Sequence, residues 1–245
     1  TKNVVLGILG SKIKISKIYL SKRNNLISKN LKKKSNKIKV ISSNQEIINK
    51  SNWIFLAVTP DVGKKIISRL KFRKNQLIIS FISTIKLSDL KKIINAKCEI
   101  VRAIPLPPIS LGAGPVPIYP PSKKVKFFFD KIGKTIEIND EKLSLNFWTM
   151  SSMMAPYYEM LKQLSLWLVK RGLKQQKAEE YVTSLFLALS KNANQNMHKN
   201  LSELVNTSQT PKGLNEQAIK ELKKSKFFKN LLITSNSILK RLKKV

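Results

Sequence analysis

The hydrophobic positions in the first half of the chain follow two alternating spacings. Short runs rich in β-branched residues, typical of buried parallel strands, are separated by stretches whose apolar residues recur every three or four positions, as in amphipathic helices. The candidate strands are residues 17–20, 37–41, 53–58, 76–81 and 98–102. Candidate helices begin near Asn44, Asp61 and Leu87. This alternation predicts a doubly wound, Rossmann-type α/β domain with a largely parallel sheet.

The pattern changes in the second half. Residues 104–121 contain seven prolines, a density that excludes a helix there. After a last β/α piece that ends near Ile138, long amphipathic helical patterns run from about Leu143 to the end. We therefore predict two domains, an α/β domain over residues 1–139 and an all-α domain over residues 140–245.

The N-terminal segment matches neither a secretory signal nor a membrane span. Its apolar residues fall at helical spacing, and Lys12 and Lys14 follow without a small-residue cleavage site. The uninterrupted apolar runs are far shorter than the ~20 residues that cross a bilayer. We predict a cytoplasmic protein with no membrane partner.

Composition limits the classes of partner and chemistry. The 245 residues carry a net charge of +33, but only six of the 47 basic residues are arginine, and the lysines are spread over the whole chain. A charge of this size is the usual signature of a nucleic-acid partner, but phosphate and base recognition favours arginine, and A/T-rich codons alone enrich lysine. We therefore do not predict a nucleic-acid partner. One cysteine, Cys98, and one histidine, His198, cannot build a zinc cluster or a disulfide. No metal site is predicted.

The residues after the first strand carry candidate chemistry, because open α/β sheets bind ligands at the carboxyl ends of their strands. Ser21, Lys22 and Arg23 follow that strand without an acidic residue. Sites that prefer NAD place Asp or Glu there for the ribose 2′-hydroxyl, whereas cationic and hydroxyl groups suit the 2′-phosphate of NADP. The triplet favours NADP(H) over NAD(H). The alternative interpretation is a plain basic turn in a lysine-rich protein.

Several segments together resemble the pyrroline-5-carboxylate reductase family, whose members reduce a cyclic imine to proline with NADPH. Residues 55–60 resemble the family pattern FLAVKP, and residues 101–108 with 111–114 resemble VRAMPNTP followed by VGAG. Asn44 lies thirteen positions before Ala57, as the family's asparagine does. Residues 210–215 resemble SPGGTT, and residues 150–158 loosely resemble GLSGSGPAY.

The resemblance implies two groups of site residues and a partner. A nicotinamide cofactor, NADP(H) in preference to NAD(H), would contact the turns after the strands: Ser21, Lys22, Arg23, Asn44, Ala57, Val58, Thr59, Pro60, Phe81, Ile82 and Ser83. The carboxylate of a small-molecule substrate would lie near Thr210, Gly213, Leu214 and Asn215. Thr210 and Asn215 are the candidate catalytic neighbours of the imine nitrogen. The all-α domain would form a homodimer or a higher homo-oligomer.

The physical chemistry of the second group agrees with that role. A Thr-Pro-x-Gly turn that opens a helix presents unpaired backbone N–H groups to an anion. The alternative interpretation is an ordinary helix start.

The sequence departs from the family pattern at several positions. The glycine fingerprint G-x-G-x-x-G and the strand before it are absent, and the chain begins at Thr1 inside a helical pattern, so we expect a fragment that lacks both. Thr59 replaces a lysine, and Lys212 and Asn215 replace a glycine and a threonine. Two alternatives remain open: a related NAD(P)-dependent reductase of another small imine or keto substrate, and a non-catalytic dimeric protein that kept the fold.

Overall fold

The computed structural model describes residues 1–82, 84–197 and 200–244. Their contacts divide into two compact units, Thr1–Trp148 and Thr149–Lys244. The first unit is an α/β unit with a largely parallel sheet, and the second is all-helical, so the predicted fold class is confirmed. The boundary after residue 139 stays a prediction.

The first unit contains the five strands that the spacing predicts between residues 17 and 102, with ends that agree to within two residues. It also contains the helices predicted to begin near Asn44, Asp61 and Leu87, together with further strands and helices. Its strands are Ile18–Ser21 (β1), Ile38–Ile41 (β2), Trp53–Leu56 (β3), Leu77–Ser80 (β4), Glu99–Ala103 (β5), Pro115–Tyr119 (β6) and Lys134–Glu137 (β7). Its helices are Lys2–Gly10 (α1), Asn25–Lys32 (α2), Asn44–Lys50 (α3), Pro60–Ile67 (α4), Leu87–Ile94 (α5) and Lys123–Phe129 (α6).

The proline-rich segment corrects one prediction. It contains no α-helix, but Pro107–Leu111 form a 3₁₀ turn, so the exclusion of every helix was wrong. Proline is compatible with the first positions of a helical turn, where its missing N–H has no intrahelical partner. The same segment also supplies β6, which runs antiparallel to β5.

The sheet falls into two groups of strands. β1 and β2 pair in parallel, and β3, β4 and β5 form a second parallel group that β6 and β7 extend. In a doubly wound sheet the first strand lies between the two halves. Here β1 and β3 do not pair with each other, so the two groups are separate among the described residues.

Both faces of the second group are covered, as expected for parallel strands. All four residues of β4 are buried. On one face they pack with Val4 and Ile8 of α1 and Phe129 of α6, and on the other with Leu90 of α5. Burial of each such large side chain contributes about 1.5–3 kcal/mol to the free energy of folding. At Gly7 a Cβ atom would overlap the carbonyl oxygen of Ile109, so glycine lets α1 approach the 3₁₀ turn closely.

Glu141 ties three segments of the first unit together. Its Oε1 accepts hydrogen bonds from Arg102 Nη1 of β5 at 2.5 Å and from the backbone N–H of Leu87 at 2.7 Å. The residue before α5, Lys86, makes no side-chain cap bond. Glu141 therefore caps α5 and neutralises a buried arginine.

The described part of the second unit is helical. The helices are Ser144–Ser151 (α7), which crosses the division, Met154–Val169 (α8), Gln175–Gln195 (α9), Leu201–Thr207 (α10), Leu214–Lys224 (α11) and Phe227–Lys243 (α12). Among the described helices of the whole chain, none combines the length and the apolar character that crossing a bilayer requires.

Candidate functional site

The turn after β1 presents the predicted cationic and hydroxyl groups. Ser21, Lys22 and Arg23 are exposed at the carboxyl end of the strand, and the Arg23 N–H donates to Ser21 Oγ at 3.4 Å. Asn24 then caps α2, because its Oδ1 accepts from the N–H of Ile27 at 3.0 Å. Two positive side chains and a hydroxyl thus stand beside a helix N-terminus, a combination that suits a phosphate.

Asn44 lies at the same edge of the first strand pair. The parallel register sets Ser21 opposite Ile41, so the carboxyl ends of β1 and β2 are adjacent. Asn44 follows as the first residue of α3 and is half-buried, while Ser43 caps the helix by accepting from the N–H of Glu46 at 3.3 Å. The structure therefore brings Asn44 and the turn after β1 to one edge.

The turns after β3 and β4 also lie next to each other. The Phe81 N–H donates to the carbonyl of Leu56 at 2.9 Å, which joins the two turns directly. Ala57 and Val58 are half-buried and Thr59 is exposed. The backbone groups of these two turns form one surface at the carboxyl end of the sheet, where a doubly wound fold binds its ligand.

Three of the predicted cofactor positions offer no described side chain to a ligand. Ile82 is only 2% exposed, and its side chain packs in the core with Ile85 and beside Gly63, so it can offer a cofactor backbone contacts only. Ser83 and the side chain of Pro60 lie outside the described residues.

A small cavity in the first unit is not a substrate site. Arg102, Tyr119 and Trp148 are among the residues that line it, and its volume is about 10 Å³. That volume holds one water molecule at most. Among the described residues, no three histidine, cysteine, aspartate or glutamate side chains come together as ligands for a metal ion. His198 lies outside that part of the chain.

The four predicted substrate residues share one turn in the second unit. The Gly213 N–H donates to the Thr210 carbonyl at 2.8 Å, and Gly213 is the N-cap of α11. A Cβ atom at Gly213 would overlap the Thr210 hydroxyl, so this position requires glycine. Leu214 is 85% exposed at the first position of the helix. The turn therefore presents the backbone of a helix N-terminus to solvent.

Asn215 braces this turn against the end of α10. Its Nδ2 donates to the carbonyl of Ser208 at 2.9 Å. A side-chain amide has a second N–H and a carbonyl oxygen, so Asn215 keeps the capacity to donate a hydrogen bond to a substrate. Thr210 is exposed.

The sequence analysis missed Glu216. Its Oε2 accepts from the N–H of Lys212 at 2.7 Å, and its Oε1 pairs with Lys220 Nζ at 2.9 Å. The hydrogen bonds from Lys220 and from the Lys212 N–H lower the pKa of the Glu216 carboxyl below its ordinary value, so it is charged at neutral pH. The available signal was a Glu three positions after the N-cap, the spacing of a capping box.

Comparison with known proteins gives matches to both units. A model described as NADP oxidoreductase coenzyme F420-dependent matches residues 3–84. A model described as pyrroline-5-carboxylate reductase dimerisation matches residues 141–244, which include the turn and helices just described. Residues 141–244 thus belong to the family of pyrroline-5-carboxylate reductase dimerisation domains.

Individual relatives agree with this match. A pyrroline-5-carboxylate reductase from Arabidopsis thaliana is 30% identical over 77 residues, which are 31% of this chain and only 28% of that protein. The solved pyrroline-5-carboxylate reductase from Coxiella burnetii superposes with a TM-score of 0.85 at 20% identity, over 99% of this chain and 93% of the other. The Plasmodium falciparum enzyme, solved with NADP bound, gives a TM-score of 0.82 at 20% identity, over 98% and 92%. The chain therefore shares the fold of both solved enzymes.

Proposed function

We propose that the chain reduces 1-pyrroline-5-carboxylate to L-proline with NADPH, a step of proline biosynthesis. The observation that carries the proposal is the family match over residues 141–244, because that segment contains the turn to which the resemblance assigns the substrate. The match over residues 3–84 supports a nicotinamide cofactor in the first unit.

Reduction of the imine requires few groups from the side chains. When bound, NADPH supplies the hydride that the imine carbon accepts. The imine nitrogen takes up one proton, and the products are proline and the oxidised cofactor. The residues of the chain have to bind both molecules and place a hydrogen-bond donor near the nitrogen, and Asn215 and Thr210 are the proposed neighbours.

The turn between Thr210 and Gly213 is the proposed site for the substrate carboxylate. An anion at the start of α11 gains about 0.3–1 kcal/mol from the helix dipole, and hydrogen bonds from backbone N–H groups add to this. The Gly213 N–H already donates to the Thr210 carbonyl, so Gly213 shapes the turn, and the proposal uses the backbone N–H of Leu214 rather than side chains. Such a site selects for a carboxylate on the substrate.

The cofactor proposal is NADP(H) in preference to NAD(H). Lys22 and Arg23 are exposed beside the Ser21 hydroxyl and the N-terminus of α2. A doubly charged 2′-phosphate gains charge-assisted hydrogen bonds from such a group, whereas a neutral 2′-hydroxyl gains little.

The proposed partner is another copy of the chain. In the second unit, the buried residues of α8 and α9 are Leu161, Ser165, Ala178 and Val182. Many large apolar side chains on α8, α9 and α12 stay exposed instead, including Tyr158, Trp167, Leu187 and Leu232. An apolar surface of this extent marks an interface, and the family model over this segment describes dimerisation. We infer a homodimer or a higher homo-oligomer.

The comparisons do not favour the two alternatives, a reductase of another small imine or keto substrate and a non-catalytic protein with the same fold. The cytoplasmic location and the absence of a nucleic-acid partner stay predictions.

Gly213→Ala tests the assignment of the substrate turn. The added methyl overlaps Thr210 and displaces the turn, so we expect the KM for 1-pyrroline-5-carboxylate to rise at least about tenfold, with the Kd for NADPH unchanged. Initial rates of NADPH oxidation and a binding titration measure the two constants. Gly10→Ala is the matched control, because a Cβ atom at Gly10 would meet no atom outside its chain neighbours and the backbone of its own helix within 4 Å. An unchanged KM in Gly213→Ala would remove the turn from the substrate site.

A further inference from the structure

The turn that opens α11 contains a lysine in a conformation that usually requires glycine. The hydrogen bond from the Gly213 N–H to the Thr210 carbonyl closes a four-residue turn with Pro211 in its second position. Lys212, in the third position, has a φ of +63°. This is the pattern of a type II turn, whose third residue must adopt a positive φ and is normally Gly or Asn. A side chain with a Cβ atom is sterically disfavoured there.

A carboxylate holds this residue in place. Glu216 Oε2 accepts the N–H of Lys212 itself at 2.7 Å, across one turn of α11. Lys220 fixes the other oxygen of the same carboxylate at 2.9 Å, and the Glu216 side chain is 29% exposed. A hydrogen bond to a charged acceptor is stronger than one between neutral groups. The carboxylate can therefore stabilise a backbone conformation that lysine by itself disfavours.

We propose that Glu216 is a positioning residue for the substrate turn. It acts through Lys212: by accepting that N–H it keeps the turn closed and keeps the N–H of Leu214, at the start of α11, in the arrangement that binds a carboxylate. Glu216 itself does not touch the substrate. This inference rests on the proposed function, because it takes the turn to be the substrate site.

A pair of substitutions separates positioning from charge. Glu216→Ala removes the acceptor, and we expect the KM for 1-pyrroline-5-carboxylate to rise about tenfold, with kcat and the KM for NADPH within about twofold of the parent. Glu216→Gln keeps a neutral carbonyl acceptor, which accepts a weaker hydrogen bond than a carboxylate, and should therefore recover part of the lost affinity. Glu221→Ala is the matched control, since Glu221 lies on the same helix, accepts from Gln217 and has no contact with the turn.

Rescue by glycine is the sharper test. Glycine adopts a positive φ without strain, so Lys212→Gly combined with Glu216→Ala should recover most of the lost affinity. A second readout is independent of turnover: backbone amide exchange in residues 208–214 should accelerate in Glu216→Ala and return toward the parent rate in the double variant.

The outcomes distinguish the inference from the function on which it rests. Unchanged KM and exchange in Glu216→Ala, or a double variant no better than Glu216→Ala, would overturn the positioning role. A KM below the parent value in Glu216→Gln would overturn it as well, since it would show repulsion of the substrate by the Glu216 charge. Exchange that follows the expected pattern in a chain without reductase activity would support the role of Glu216 in the turn and count against the proposed function alone.

Discussion

At the scale of single residues, the sequence predicts ligand-binding groups where they directly follow a strand. Ser21 and Arg23 could be predicted in this way, because the end of a strand locates the ligand edge. Glu216 could not, since its partner is the N–H of Lys212 and the value of that bond depends on a backbone angle. Ile82 shows the opposite case, a predicted cofactor residue whose side chain points into the core.

Arg23→Ala tests the proposed preference for NADPH. Loss of one charge-assisted hydrogen bond, about 1.5–3 kcal/mol, should raise the Kd for NADPH at least about tenfold and leave the Kd for NADH within about twofold. Fluorescence titration with each cofactor measures both constants. Lys92→Ala removes a charge from the exposed face of α5 and serves as the control. Equal losses for NADPH and NADH would contradict recognition of the 2′-phosphate by Arg23.

At the scale of elements, hydrophobic spacing predicts strands β1 to β5 and the starts of α3, α4 and α5, because it records which side chains are buried. It says little about ends that depend on distant partners. The start of α5 is capped by Glu141, which lies 54 positions along the chain from Leu87. The 3₁₀ turn at Pro107–Leu111 was likewise missed, because proline excludes the interior of a helix but not its first turn.

Glu141→Ala tests this long-range cap. The change removes the partner of a buried guanidinium and the acceptor for α5 together, so the free energy of unfolding of the first unit should fall by about 3 kcal/mol. Urea denaturation measures the loss. Glu137→Ala, on the exposed edge strand β7, should cost less than about 0.5 kcal/mol. A similar loss in both variants would show that the contacts of Glu141 contribute nothing specific.

At the scale of the whole molecule, the change from alternating elements to helices alone predicts two units of different class, and the structure confirms this. The same spacing cannot show what covers an apolar helix face, because burial within one chain and burial against a second copy produce the same pattern. Only the structure shows that Trp167 and Leu232 are exposed within one chain. Hydrophobic spacing also cannot predict that β1 and β3 do not pair, because pairing depends on the order of the strands in the sheet.

The measurement that tests the central claim most directly is proline formation from 1-pyrroline-5-carboxylate by the folded chain, with NADPH and NADH compared at equal concentration. The account predicts one proline for each NADPH oxidised and a lower KM for NADPH than for NADH. A folded chain that binds NADPH but forms no proline with either cofactor would contradict it.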